Sequence, residues 1–186
     1  MIKFNLNELN LNSLKVVRDK YNRIDDKGVN QGRIIYLDES QKIYYKIFNK
    51  DYCRLNNFIK AYQSGFFEGI TSSLIGLIYD NQKIIGYATK LGKALSNSEF
   101  DVHLIPEDFK LKLIKKIKNT GLFFYDFVPS NIIELDNGEL SLIDLESVYE
   151  IKDLFNIKNH NAKIKPDFLY DIIYNEWRKQ MKPISF

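Results

Sequence analysis

Asn137-Gly138, set between the apolar runs Ile132-Ile133-Glu134-Leu135 and Leu140-Ser141-Leu142-Ile143, constrains this chain more than any other short feature. Both residues accept positive φ, which a tight hairpin turn demands, and the flanking runs suit half-buried strands. A two-residue turn at this point pairs Asp136 with Glu139. Counting outward places Asn131 opposite Asp144, with Cβ atoms roughly 4.5–5.5 Å apart on one face of the open end. An amide oxygen and a carboxylate so placed can share one hard cation such as Mg²⁺, which keeps several waters and completes its shell from phosphate oxygens. Asp126, in Asp126-Phe-Val-Pro-Ser-Asn131 on the loop entering the first strand, is a candidate to accept a hydroxyl proton or to orient an attacking oxygen.

Upstream, strand-like segments 21–25, 32–37 and 41–48 read as an antiparallel meander, with turns around Gly28 and at Asp38-Glu-Ser40. In the third, Ile43, Tyr45 and Ile47 share one face, which places Lys46 on the other, between Tyr44 and Phe48. A lysine with aromatic strand neighbours is partly desolvated. Residues 51–62 carry Tyr52, Leu55, Ile59 and Tyr62 at helical spacing. Segments 74–79 and 83–91 flank Asp80-Asn81-Gln82 as a second hairpin. The leucines at 6, 9, 11 and 14 give the first twenty residues a loose helical pattern. Pro106 followed by Glu107 and Asp108 starts a helix whose apolar stripe is Phe109, Leu113, Ile114 and Ile117. Beyond Pro166, Leu169, Ile172, Ile173 and Trp177 form the apolar face of a last helix.

The segment from Gly121 to Val148 resembles the catalytic loop and metal-binding segment of the protein-kinase-like superfamily. Leu142-Ile-Asp144-Leu-Glu146 is most similar to the small-molecule branch, including aminoglycoside phosphotransferases and lipopolysaccharide kinases. The resemblance implies an α+β, minimal kinase-like bilobal fold. An antiparallel N-terminal lobe of five strands and a helix would span residues 1–90, and a reduced helical lobe with the catalytic hairpin would span 91–186. It implies ATP and Mg²⁺ as cofactors, Asp126 as catalytic base, Asn131 and Asp144 as metal ligands, and Lys46 on the nucleotide phosphates. Gly28 and Gly32 would cover those phosphates, and backbone groups of Lys90 and Leu91 would meet the adenine edge. The acceptor would be a hydroxyl of a small molecule, sugar or glycolipid.

Three positions depart from the family pattern: Phe124 stands where histidine is usual, Val128 where a cation is frequent, and the helix after Lys46 contains no glutamate. They keep a second reading open, a catalytically inactive kinase-like interaction module. Glu146 has no assigned role.

Composition excludes other classes. Apolar residues at 45% and aromatics at 14% of 186 residues rule out disorder and allow a sizeable core. A net charge of +3 gives no reason to expect nucleic-acid binding, and the lysines at 110, 112, 115, 116 and 118 read as the solvated face of their helix. A single cysteine, Cys53, precludes an intramolecular disulfide. No apolar run approaches the length of a membrane span and the start lacks an export pattern, so a cytoplasmic location is expected.

Overall fold

In a computed structural model of the chain, the residues described are 1–19, 32–49, 52–94, 105–125, 127, 131–153 and 172–175. Alternating side chains build the first half. Strands β1 (Ile2–Asn5), β2 (Lys15–Asp19), β3 (Arg33–Asp38), β4 (Ile43–Phe48), β5 (Leu74–Asp80) and β6 (Lys83–Lys90) form a sheet in the order β1-β5-β6-β4-β3-β2. Neighbours are antiparallel except for β1, which lies parallel to β5. The β3–β4 turn is fixed by Asp38, whose Oδ1 accepts the backbone N–H groups of Ser40 and Gln41 at 3.0 Å each. The β5–β6 turn puts Asn81 and Gln82 at φ 45° and 70°, the mirror-image turn that matches strand twist.

Tyr45 and Ile47 face one side of the sheet, where Ile43, Ile34, Tyr36 and the leucines of the first fourteen residues pack over them. The expected N-terminal helix is therefore replaced by β1 and two 3₁₀ turns, Leu6–Glu8 and Leu11–Ser13. Backbone pairing along the edge of β5 and packing of Leu6, Leu9, Leu11 and Leu14 on the sheet outcompete a weak helical pattern that has no side-chain cap. The sheet thus has six strands where five were expected. The proposed strand at 21–25, Gly28, Asp126, Val128 and Trp177 lie outside the described residues.

The opposite face carries Tyr44, Lys46 and Phe48. Helix α1 (Cys53–Gln63) packs on it through Leu55, Phe58 and Ala61, with the rings of Phe58 and Tyr87 stacked 4.7 Å apart. This core runs on without a break through Phe66, Phe67 and Ile70 into the second half. There α2 (Glu107–Thr120) buries Phe109, Leu113 and Ile117 and ends on Gly121 at φ 66°, whose N–H caps the carbonyl of Ile117. Lys110 and Lys112 of this helix pair with Glu107 and Asp108, whereas Lys116 folds inward to donate to the carbonyl of Gly65. No helix among the described residues is long and apolar enough to cross a membrane.

The remaining strands are short. β8 (Leu122–Phe124) pairs with β11 (Val148–Glu150), and β7 (Lys93–Ala94), β9 (Ile132–Glu134) and β10 (Leu140–Leu142) form a three-stranded sheet. The hairpin β9–β10 forms as expected, but its register is shifted by one residue. Leu135 pairs with Glu139, and Gly138, at φ 79°, closes a three-residue loop by donating its N–H to the carbonyl of Leu135. Asn131 therefore faces Ile143, whose N–H donates to the carbonyl of Asn131 at 2.9 Å, and not Asp144. A one-residue slip sends side chains to the opposite face. The chain turns Asp144 back just after β10 by placing it at φ 61°, a left-handed conformation that aspartate tolerates better than most residues.

The hairpin is moored to the segment before β5. Ser141 Oγ accepts the N–H of Ser73 at 2.9 Å and donates to Ser73 Oγ at 2.7 Å, and the N–H of Leu142 donates to the carbonyl of Ile70.

Candidate functional site

A cleft of about 500 Å³ opens between the Lys46 face of the sheet and the β9–β10 hairpin. Its walls include Arg33 and Lys46 from β3 and β4, Tyr87 and Lys90 from β6, and Asn131 and Asp144 from the hairpin. Its volume suits a small-molecule ligand.

Lys46 is the centre of the cleft floor. Cross-strand register sets it between Ile35 of β3 and Tyr87 of β6, and its ammonium lies 5.5 Å from the centroid of the Tyr87 ring. A lysine that is only 6% exposed needs counter-charge. Two carboxylates provide it. Lys46 Nζ donates to Asp144 Oδ1 and to both oxygens of Glu146, at 2.9 and 3.0 Å. Glu146 has no exposed surface at all. It also accepts the hydroxyl of Tyr87 at 2.7 Å, and that hydroxyl in turn accepts the N–H of Leu145 at 3.1 Å. Arg33 completes the cluster, with Nη1 3.4 Å from Glu146 Oε1 and donating to the Tyr52 hydroxyl at 3.2 Å. Two cations, Lys46 and Arg33, thus pair with two carboxylates, Asp144 and Glu146, and Arg54 adds positive charge near both.

These contacts shift the titrations. Burial raises the pKa of Asp144, but Lys46 and Arg33 beside it outweigh burial and hold the carboxyl below the usual aspartate range. Burial, with Glu146 and Asp144 adding to it, pushes the Tyr87 phenol well above its ordinary value, so it stays a hydrogen-bond donor. Burial opposes the charge on Arg33, yet Glu146 and Asp144 raise its pKa overall and it remains a cation.

The structure brings together Lys46, Asn131, Asp144 and Lys90 of the residues singled out from sequence. Leu91 lines an adjoining groove with Lys42 and Asp136 instead. The backbone N–H groups of Lys90 and Leu91 donate to the carbonyls of Ser73 and Lys42, at 2.8 and 2.7 Å. Gly32, at φ 44°, immediately precedes β3, where a Cβ would sit 2.8 Å from the Tyr52 side chain. Tyr52 packing and backbone conformation account for this glycine. Phe124 is a core aromatic 5.3 Å from Phe66. Glu68, the first glutamate after α1, meets Lys116.

Glu146, Arg33 and Tyr87 went unassigned in the sequence. Arg33 had a legible signal, since alternation with Ile35 puts it on the Lys46 face once β3 and β4 are paired. Glu146 had none, because its partners are 59 and 100 residues away.

No cluster of three or more His, Cys, Asp or Glu residues among those described could hold a metal by itself. The oxygen donors Asp144 and Asn131 on one cleft fit a hard cation that draws its other ligands from water and from a bound phosphate.

No family model matches the chain, and no curated protein matches it in sequence. Among solved structures it is similar to that of vaccinia related kinase 3, with a TM-score of 0.40 and 16% identity over 76% of this chain and 55% of that one. The chain spans about half the length of that kinase.

Proposed function

We propose that this chain is a kinase-like phosphotransferase that moves the γ-phosphoryl group of ATP to a hydroxyl of a small molecule, sugar or glycolipid. The observation that carries the reading is Lys46, buried on the cleft face of the sheet and held over Asp144, with Asn131 on the same cleft. Lys46 would neutralise phosphate oxygens, and Asp144 and Asn131 would hold Mg²⁺, which supplies further charge neutralisation when bound. Asp126 would accept the proton of the acceptor hydroxyl as its oxygen bonds to the γ-phosphorus and the bond to ADP breaks. A buried lysine fixed before ligand arrives adds positioning to charge.

A magnesium-dependent ATP titration by thermal shift tests this. A hundredfold excess over Kd stabilises by about 2.7 kcal/mol, or about 5–11 °C for a chain of this size. The shift should vanish in Asp144→Asn, and ATP turnover should vanish in Asp126→Ala while binding remains. Turnover that survives Asp126→Ala would refute the assigned base.

The second reading is an inactive kinase-like module. Phe124 is built into the core, and both carboxylates are closed on Lys46. Absence of any shift with ATP and Mg²⁺ would favour it.

A further inference from the structure

The β3–β4 register sets Arg33 opposite Phe48 and Ile35 opposite Lys46, so Arg33 and Lys46 are diagonal neighbours on the cleft-facing side of the sheet. The Arg33 side chain is only 12% exposed and lines the same cleft. It is tethered through one nitrogen, Nη1, to Tyr52 and Glu146. Its Nε is buried and has no hydrogen-bond partner among the described residues. A buried donor left unmade carries its full desolvation cost, and buried polar groups are nearly always partnered, so this one calls for an explanation. The planar guanidinium is built for two parallel bonds to phosphate oxygens.

Charge balance points the same way. In the structure Lys46 and Arg33 are matched by Asp144 and Glu146. With Asp144 engaged by a cation, only Glu146 remains to face both basic groups, and the floor of the cleft carries a net positive charge to which Arg54 adds. Arg18 and Lys90 add positive charge to the same walls. A neutral ligand leaves that excess buried and uncompensated, whereas a phosphate chain removes it.

We propose that Arg33 is a second phosphate-binding residue of the cleft, gripping with Lys46 the oxygens of a nucleotide's di- or triphosphate. The proposal rests on the nucleotide-binding reading above and adds to it a residue and a ligand preference, for polyphosphate over the bare nucleoside. Tyr52 and Glu146 hold the guanidinium through Nη1, and Nε is left without a hydrogen-bond partner among the described residues.

Calorimetric titration of wild type and Arg33→Met with ATP, ADP, AMP and adenosine, each with Mg²⁺, and with inorganic tripolyphosphate tests it. In wild type affinity should fall along that nucleotide series. Arg33→Met should weaken ATP, ADP and tripolyphosphate about tenfold or more and leave adenosine within about twofold, as expected for loss of a charge-assisted bond. If Arg33→Met does not melt cooperatively, Arg33→Gln, which keeps a donor for the Tyr52 hydroxyl, carries the same comparison. Equal weakening of ATP and adenosine, or unchanged ATP binding, would overturn the proposal and leave Arg33 a support for the fold. Wild type that binds tripolyphosphate but no nucleotide would sink the nucleotide reading alone, with Arg33 then judged on tripolyphosphate. Wild type that binds neither would sink both.

Discussion

Replacing Glu146 by glutamine removes one charge and almost no volume from the centre of the buried cluster. Glu146 accepts from Lys46 at 2.9 and 3.0 Å and from Tyr87 at 2.7 Å, lies 3.4 Å from Arg33, and is wholly buried. Glutamine keeps one acceptor oxygen but turns an NH₂ group toward Lys46 or Tyr87, and leaves two cations facing Asp144 alone. Breaking a buried ion pair by neutralising one partner costs about 3–5 kcal/mol. Against a total stability on the order of 5–15 kcal/mol, that is a large share. Urea unfolding followed by circular dichroism should show that loss, and melting should fall by roughly 6–20 °C. Because the cost arises from Lys46 and Arg33, combining Glu146→Gln with Lys46→Met should cost less than the sum of the two by about 1–3 kcal/mol. A loss below about 1 kcal/mol, or strict additivity, would refute the view that Glu146 holds the lysine in place.

Acid should act through Asp144. Its folded pKa lies below the unfolded one, so the stability it contributes is present above about pH 4 and is lost as pH falls through the depressed folded value. The stability gap between wild type and Asp144→Asn should therefore narrow below about pH 4, and a constant gap would exclude charge as its source. Alkali should act through Tyr87, whose raised pKa makes its contribution complete below about pH 10 and lost above it, so Tyr87→Phe should flatten the alkaline limb of the stability curve. At Gly138 a Cβ would meet nothing within 4 Å, so the cost of Gly138→Ala is purely conformational, about 1–2 kcal/mol at φ 79°. Gly138→Asn should lose less than half as much, and equal losses would argue against the left-handed turn.

Local signals made much of the sheet and both long helices legible. Alternation in Ile43 to Phe48 gave the two faces of β4 and hence the inward Lys46, and Pro106 with its acidic pair gave the start of α2. Non-local contacts made the rest illegible. Residues Ile2 to Asn5 follow the edge of a strand some seventy positions away, which no local periodicity reports. The Asn137-Gly138 signal located the hairpin, but a two-residue turn and a three-residue turn with left-handed glycine share it, and they differ by one step in register. The site shows the same division. Asn131 and Asp144 do share a cleft, though by a left-handed backbone at Asp144 rather than by direct pairing. Glu146, between an apolar Leu145 and Ser147, carries no local signal, and only the arrival of Lys46, Arg33 and Tyr87 from the sheet makes it the core of the cluster.

The Ser73 and Ser141 hydroxyl pair has a consequence for motion. Together with the Leu142 to Ile70 bond on one side and the Lys46 ion pairs on the other, it fastens the hairpin to the sheet at two separate points. A hinge that swung the two walls apart would have to break buried hydrogen bonds at both points at once, so such an opening belongs with the rarest, near-global fluctuations of the chain. A ligand of the kind proposed would then enter by side chains re-pairing within a fixed frame rather than by travel of one half against the other.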